Sequence, residues 1–151
     1  MATANSVNPT RSTAAKGGRY RTLRRIGAVL AGLLVIVVLS VGTDQVMHAT
    51  GVFPPFGQPM AGGLFVLALA YRIVYGVAGS YVAARLAPDR PMQHALALGV
   101  VGLVVSLAGT AATWGRGPEF GPPWYALAVI AIAIPCAWAG GLLRRRQLSA
   151  R

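Results

Sequence analysis

The sequence predicts an all-α membrane protein, a four-transmembrane-helix bundle with both termini cytoplasmic. Three observations carry this expectation. Of the 151 residues, 55% are hydrophobic and only 11% are charged, whereas a soluble domain carries about 25% charged residues. Four apolar runs divide the chain, each near the roughly 20 residues that a helix needs to cross about 30 Å of hydrocarbon. The basic residues collect on one side of those runs. No stretch of about ten residues alternates with period two, which argues against a barrel, and helices are then the remaining way to satisfy a backbone in lipid.

Residues 1–22 read as a basic cytoplasmic arm. Met1 to Gly18 is rich in Ala, Ser, Thr and Asn and has no periodicity, the pattern of a disordered segment. Arg19, Arg21, Arg24 and Arg25 follow as a topology signal that can also rest on anionic headgroups. The transmembrane domain covers 23–146, with spans at about 26–47, 60–84, 93–114 and 123–143, and 147–151 form a cytoplasmic tail. The first span rests on 18 uncharged residues, Ile26 to Thr43. A cleaved signal peptide is the competing account of it, but the 25 residues ahead of Ile26 are long for one, and no Ser or Thr directly precedes Arg24-Arg25. The second is 25 residues, Met60 to Ala84, with one charge, Arg72. The third is 20 uncharged residues, Ala95 to Trp114, and the fourth is 22, Pro122 to Leu143.

The connections differ in kind. Leu86-Ala87-Pro88-Asp89-Arg90-Pro91 is a tight proline-bounded turn. The other two, His48 to Pro59 and Gly115 to Tyr125, are long, apolar and rich in Pro, Gly and aromatics. Their Pro and Gly stop a helix, and their aromatics favour the headgroup zone, so they are expected to fold back as caps. Trp114, Trp124 and Tyr125 read as anchors of the aromatic belt. Twelve of the fourteen Lys and Arg lie in the arm, the short turn and the tail. By the positive-inside rule those three face the cytoplasm.

Lipid supplies no hydrophobic drive for helix association, so small residues mark close contacts. The second span offers Gly76, Ser80 and Ala84; the third Gly102, Ser106 and Thr110; the fourth Ala133, Ala137 and Gly141. Such ridges suit a monomeric bundle or, if one ridge faces outward, a homodimer or docking on a larger partner.

Arg72 is the most informative residue. At mid-span a charge costs at least about 2.5–3.5 kcal/mol and needs partners or water. Pro135 lacks an N–H, which frees the carbonyl of Ala131 at a depth near that of Arg72. Ser106 and Tyr75 offer hydroxyls. Asp44 is the acid at the outer end of the first span, and rises of 1.5 Å per residue place it roughly 10 Å from Arg72 in depth. An Asp44–Arg72 pair would staple two helices or line a polar cavity. His48, one helical turn from Asp44, is in place to hydrogen-bond it and is the candidate for pH sensitivity. His94, after Pro91, reads as a surface residue, and Cys136 as a buried packing residue. Glu119 and Arg116 form a weak pair at most.

Chemistry-bearing residues are few. One cysteine and two histidines at opposite ends argue against a disulfide framework and a metal or haem site; no cofactor, metal or nucleic acid is expected. The sequence has no P-loop, dinucleotide fingerprint, HExxH or GxSxG. Thr43-Asp44, His48-Ala49-Thr50-Gly51-Val52-Phe53-Pro54-Pro55, Tyr71-Arg72, Ala83-Ala84-Arg85-Leu86-Ala87-Pro88 and Pro135-Cys136-Ala137-Trp138 resemble small four-span bacterial inner-membrane proteins with no assigned activity. The resemblance runs from about Thr43 to Leu143 and implies a bacterial inner-membrane location and no chemistry. Length and span number also match small multidrug transporters, but their mid-span carboxylate in the first helix has no counterpart here.

Three classes of function follow. The first is a non-catalytic protein, an accessory or assembly subunit with a membrane-protein partner. The alternative is a small dimeric transporter or channel with a polar path around Arg72 and Asp44. A lipid enzyme would need a catalytic cluster, for which only Asp44 and His48 offer themselves.

Overall fold

The computed structural model describes residues 10–150, with side chains from residue 20 onward. Four helices make up the described chain: α1 (Thr10–Ala49), α2 (Gly62–Leu86), α3 (Pro91–Thr113) and α4 (Pro123–Ser149), with a 3₁₀ turn at Pro118–Phe120. Four segments are long and apolar enough to span a membrane: Tyr20–Ala49, Gly62–Leu86, Pro91–Thr113 and, taking in the 3₁₀ turn ahead of α4, Pro118–Ser149. The protein is thus a multi-pass four-helix membrane bundle.

One expectation changes at the start. The segment that reads as a disordered arm is helical from Thr10, and residues 1–9 lie outside the described residues. Once a long helix is nucleated, each added residue is cheap, and α1 extends back through a stretch that holds Ala14, Ala15 and Lys16, all good helix formers.

The helices pack in the order α1, α2, α4, α3 around the bundle, with α2 also touching α3, while α1 meets α3 sparingly. Two ends result. The basic end holds Arg25, the α2–α3 turn and the close of α4; the loop end holds the two long connections. At the basic end Arg25 donates to both carboxylate oxygens of Asp89, Nε to Oδ1 at 3.2 Å and Nη2 to Oδ2 at 2.5 Å. The Arg25 guanidinium holds the Asp89 carboxyl below its ordinary range. Tyr81 donates to Gln147 Oε1 at 2.8 Å and accepts from Arg85 Nη1 at 3.3 Å. The short turn is bounded as expected, and Arg90 before Pro91 is the one described non-glycine residue with positive φ, 43°.

Packing is tightest towards the basic end, where glycines bring backbones together. A β-carbon on Gly79 of α2 would stand 2.6 Å from the carbonyl oxygen of Gly32 on α1. On Gly140 of α4 it would stand 2.6 Å from the Val77 carbonyl oxygen, and on Gly99 of α3 2.5 Å from Cβ of Ala137. Ala83, Ala95 and Ala137 are wholly enclosed there. The ridges expected on α2 and α4 are at work, since Ser80, Ala84, Ala137 and Gly141 are buried. On α3 the expected ridge continues the buried face: Ala95, Leu98 and Gly99 are buried, and Gly102, Ser106 and Thr110 follow at helical spacing, half-buried, with Gly102 and Ser106 facing a cavity. His94 is likewise buried, its Nδ1 donating to the Arg90 carbonyl at 3.3 Å, because α3 turns that face into the bundle.

Candidate functional site: an ion pair between two cavities

Asp44 and Arg72 meet. Arg72 Nη2 donates to Asp44 Oδ2 at 2.8 Å, and the neighbouring Tyr71 hydroxyl donates to Asp44 Oδ1. One turn along, Thr43 and Tyr75 share a hydrogen bond of 2.8 Å. Consecutive residues of α1 are therefore bonded to residues of α2, two polar rungs between otherwise apolar helices. Tyr125 of α4 lines the same cavity as Arg72 and Asp44. The depth mismatch expected from the sequence narrows by about 4.5 Å because α2 begins at Gly62, three residues beyond Pro59, and the length of the arginine side chain spans the rest. Arg72 then lies about 15 Å into its helix, closer to the level of Asp44.

Two cavities adjoin this cluster, and Arg72 lines both. Towards the loop end is a chamber of about 190 Å³, whose walls include Asp44, His48, Phe53, Tyr71, Glu119 and Tyr125. Its roof is ordered. His48 Nδ1 donates to the Pro54 carbonyl at 2.7 Å, its ring lies 3.8 Å from that of Phe56, and Phe53 is only 4% exposed. Gly51 and Gly57, with φ of 75° and 82°, supply the left-handed turns that fold this connection back. The second connection packs on α2 at Gly121, where a β-carbon would stand 2.6 Å from the Phe65 ring.

The other cavity is a cleft of about 290 Å³ towards the basic end. Gly76 and Ser80 of α2 with Val129, Ala133 and Cys136 of α4 form its back. Val37 and Val41 of α1 and Val105 of α3 line it while remaining exposed, so it opens sideways between α1 and α3. Leu98 and Ser80, both nearly inaccessible, close its far end.

Several expected roles move. Tyr75 bonds Thr43 rather than Arg72. Ser106 lines the cleft with Arg72 but makes no hydrogen bond with it. Ala131 and Pro135 are both exposed on α4, so the freed carbonyl belongs to the outward face and is not the partner of Arg72. His48 bonds Pro54, not Asp44, because the folded-back loop offers a carbonyl at closer range. Tyr125 turns from the aromatic belt towards the bundle, its half-buried ring 5.0 Å from that of Phe65 and tilted 52° to it, while Trp114 and Trp124 remain exposed. Glu119 turns back over Gly117 and into the chamber wall rather than pairing with Arg116. Cys136 is buried, with Gly76 beside it. Tyr71, given no role by the sequence reading, is the residue missed; its position beside Arg72 was the available signal. No family model matches the chain, nor does any curated protein or solved structure.

Proposed function

We propose that this is a non-catalytic accessory or assembly subunit of a bacterial inner membrane, with the basic end cytoplasmic and the loop end outside. One observation carries the reading: the charged cluster opens to the loop end while glycine contacts close the bundle behind it. A conducting path would need polar groups through that closed half, and the Gly32–Gly79 and Gly140–Val77 approaches leave no room for them. Asp44 accepts from both Arg72 and Tyr71, and His48 is committed to its own loop, so neither is placed as a free base. The ordered loops are then the surface for a partner in the same membrane, and Arg72 with Asp44 holds α1 and α2 in position beneath them. Charge placement supports the orientation, since the basic arm, turn and tail share one end.

Native mass spectrometry of the protein extracted with its surrounding lipid tests the reading. The expected result is a heteromeric mass, with cross-links from the partner to the 50–61 and 114–122 connections. A homodimer with no other subunit overturns it. The second reading, a dimeric transporter, draws on Arg72 lining both cavities, so that a swing of this side chain would join them. It requires ion or solute flux in proteoliposomes that Arg72→Leu abolishes without lowering the amount of folded protein.

A further inference from the structure

We infer that the sideways-opening cleft is a binding site for an uncharged, carbonyl-bearing lipid dissolved in the bilayer, held by Arg72 and by the apolar walls of α1, α3 and α4.

The walls favour hydrocarbon. Leu33, Ile36, Val105, Val129 and Ile132 all line the cleft, and its mouth lies between spans, where lipid is the surrounding solvent. From Arg72 to Ser80 is eight residues of α2, about 12 Å, so the cleft takes part of one chain and the remainder extends into the bilayer.

The hydrogen-bonding requirement comes from Arg72. Its Nη2 meets Asp44, but Nε is buried with no acceptor among the described residues. A buried donor left unpaired is unfavourable. The side chain is still 34% accessible, and both cavities abut it, so the guanidinium has donors to offer a ligand after a small adjustment.

Charge and depth narrow the class. Asp44 already neutralises Arg72, so a second anion would leave one net negative charge in a medium of low dielectric, which is strongly unfavourable. A carbonyl oxygen accepts without that cost. Arg72 also lies near the middle of α2, some 15 Å below the outer hydrocarbon boundary. Phospholipid headgroups stay at that boundary, whereas uncharged lipids enter the interior.

Photolabelling in liposomes with the full chain tests the site. The probe is 2-tridecanone carrying a diazirine in its tail, beside the alkane and the fatty carboxylate of matching length. The expected outcome is saturable labelling of cleft residues by the ketone, with affinity roughly tenfold above the alkane, as one hydrogen bond from a charged donor supplies. Gly102→Leu fills the cleft, where a β-carbon meets nothing within 4 Å, and is expected to abolish saturable labelling with the fold intact. Gly109→Leu also enters open space but does not line the cleft, and is expected to leave labelling unchanged. Equal, unsaturable labelling by ketone and alkane overturns the proposal, as does preference for the carboxylate or indifference to Gly102→Leu. None of these outcomes depends on whether a protein partner is found.

Discussion

The two halves of the bundle solve the problem of association in lipid differently. The half near the basic end uses glycine and alanine, so that backbones touch where Gly32 meets Gly79 and Gly140 meets Val77. The half near the loop end uses charge and hydroxyl groups, which hold α1 to α2 beside a chamber, and a cleft runs from Arg72 down to the first glycine contacts. Packing of the first kind tolerates no added atom; the second tolerates added bulk but not a missing partner. The same substitution is therefore expected to behave in opposite ways in the two halves.

The largest effect is expected from Gly79→Leu, whose side chain would strike the Gly32 carbonyl oxygen and Ile36. Overpacking of a close core costs about 1–3 kcal/mol or more, and backbone atoms cannot move aside as a flexible side chain can. Thermal unfolding in detergent should show gross destabilisation, against near-neutral behaviour for Gly102→Leu. Equal effects would erase the contrast between the halves.

Next comes Asp44→Asn, which leaves Arg72 without its counter-ion. The loss should fall below the roughly 3–5 kcal/mol of a fully buried pair, because the two side chains remain 26% and 34% accessible. The double change Asp44→Leu/Arg72→Leu should recover much of it, and a double-mutant cycle measures the coupling. Tyr71→Phe removes one hydrogen bond to the same carboxylate and should cost about 1–3 kcal/mol, read in the same unfolding experiment.

The smallest effect belongs to the basic end. Arg25 lowers the Asp89 pKa, so the pair's contribution is complete above the ordinary carboxylate value of about 3.9. It disappears as pH falls through the lowered folded-state value. Wild type and Asp89→Asn should therefore differ slightly at pH 7 and converge at strongly acid pH, and added salt should also narrow the gap. A difference that widens in acid would contradict the assignment.

These contrasts also explain what could be read from the sequence. Spans were legible because charge-free runs report on a solvent, the bilayer, that acts on every residue alike. The Asp44–Arg72 pair was legible because three acids in the chain left few counter-ions for a mid-span arginine. The faces were not. A helix apolar all round carries no stripe to orient it, so nothing in α3 told that its Gly102–Ser106 face meets a cavity while Ala95, Leu98 and Gly99 are the residues it buries. Loop geometry was hidden as well: His48 found Pro54 through a chain reversal that depends on left-handed glycines.

The spacing of the ion pair has a consequence for biosynthesis. Asp44 precedes Arg72 by 28 residues, and both belong to the first hairpin. Because a chain is made from its N-terminus, the acid is already in place when the base emerges. The costliest residue to insert thus meets its counter-ion before α3 and α4 exist, and the later hairpin joins a partner whose charge is already settled.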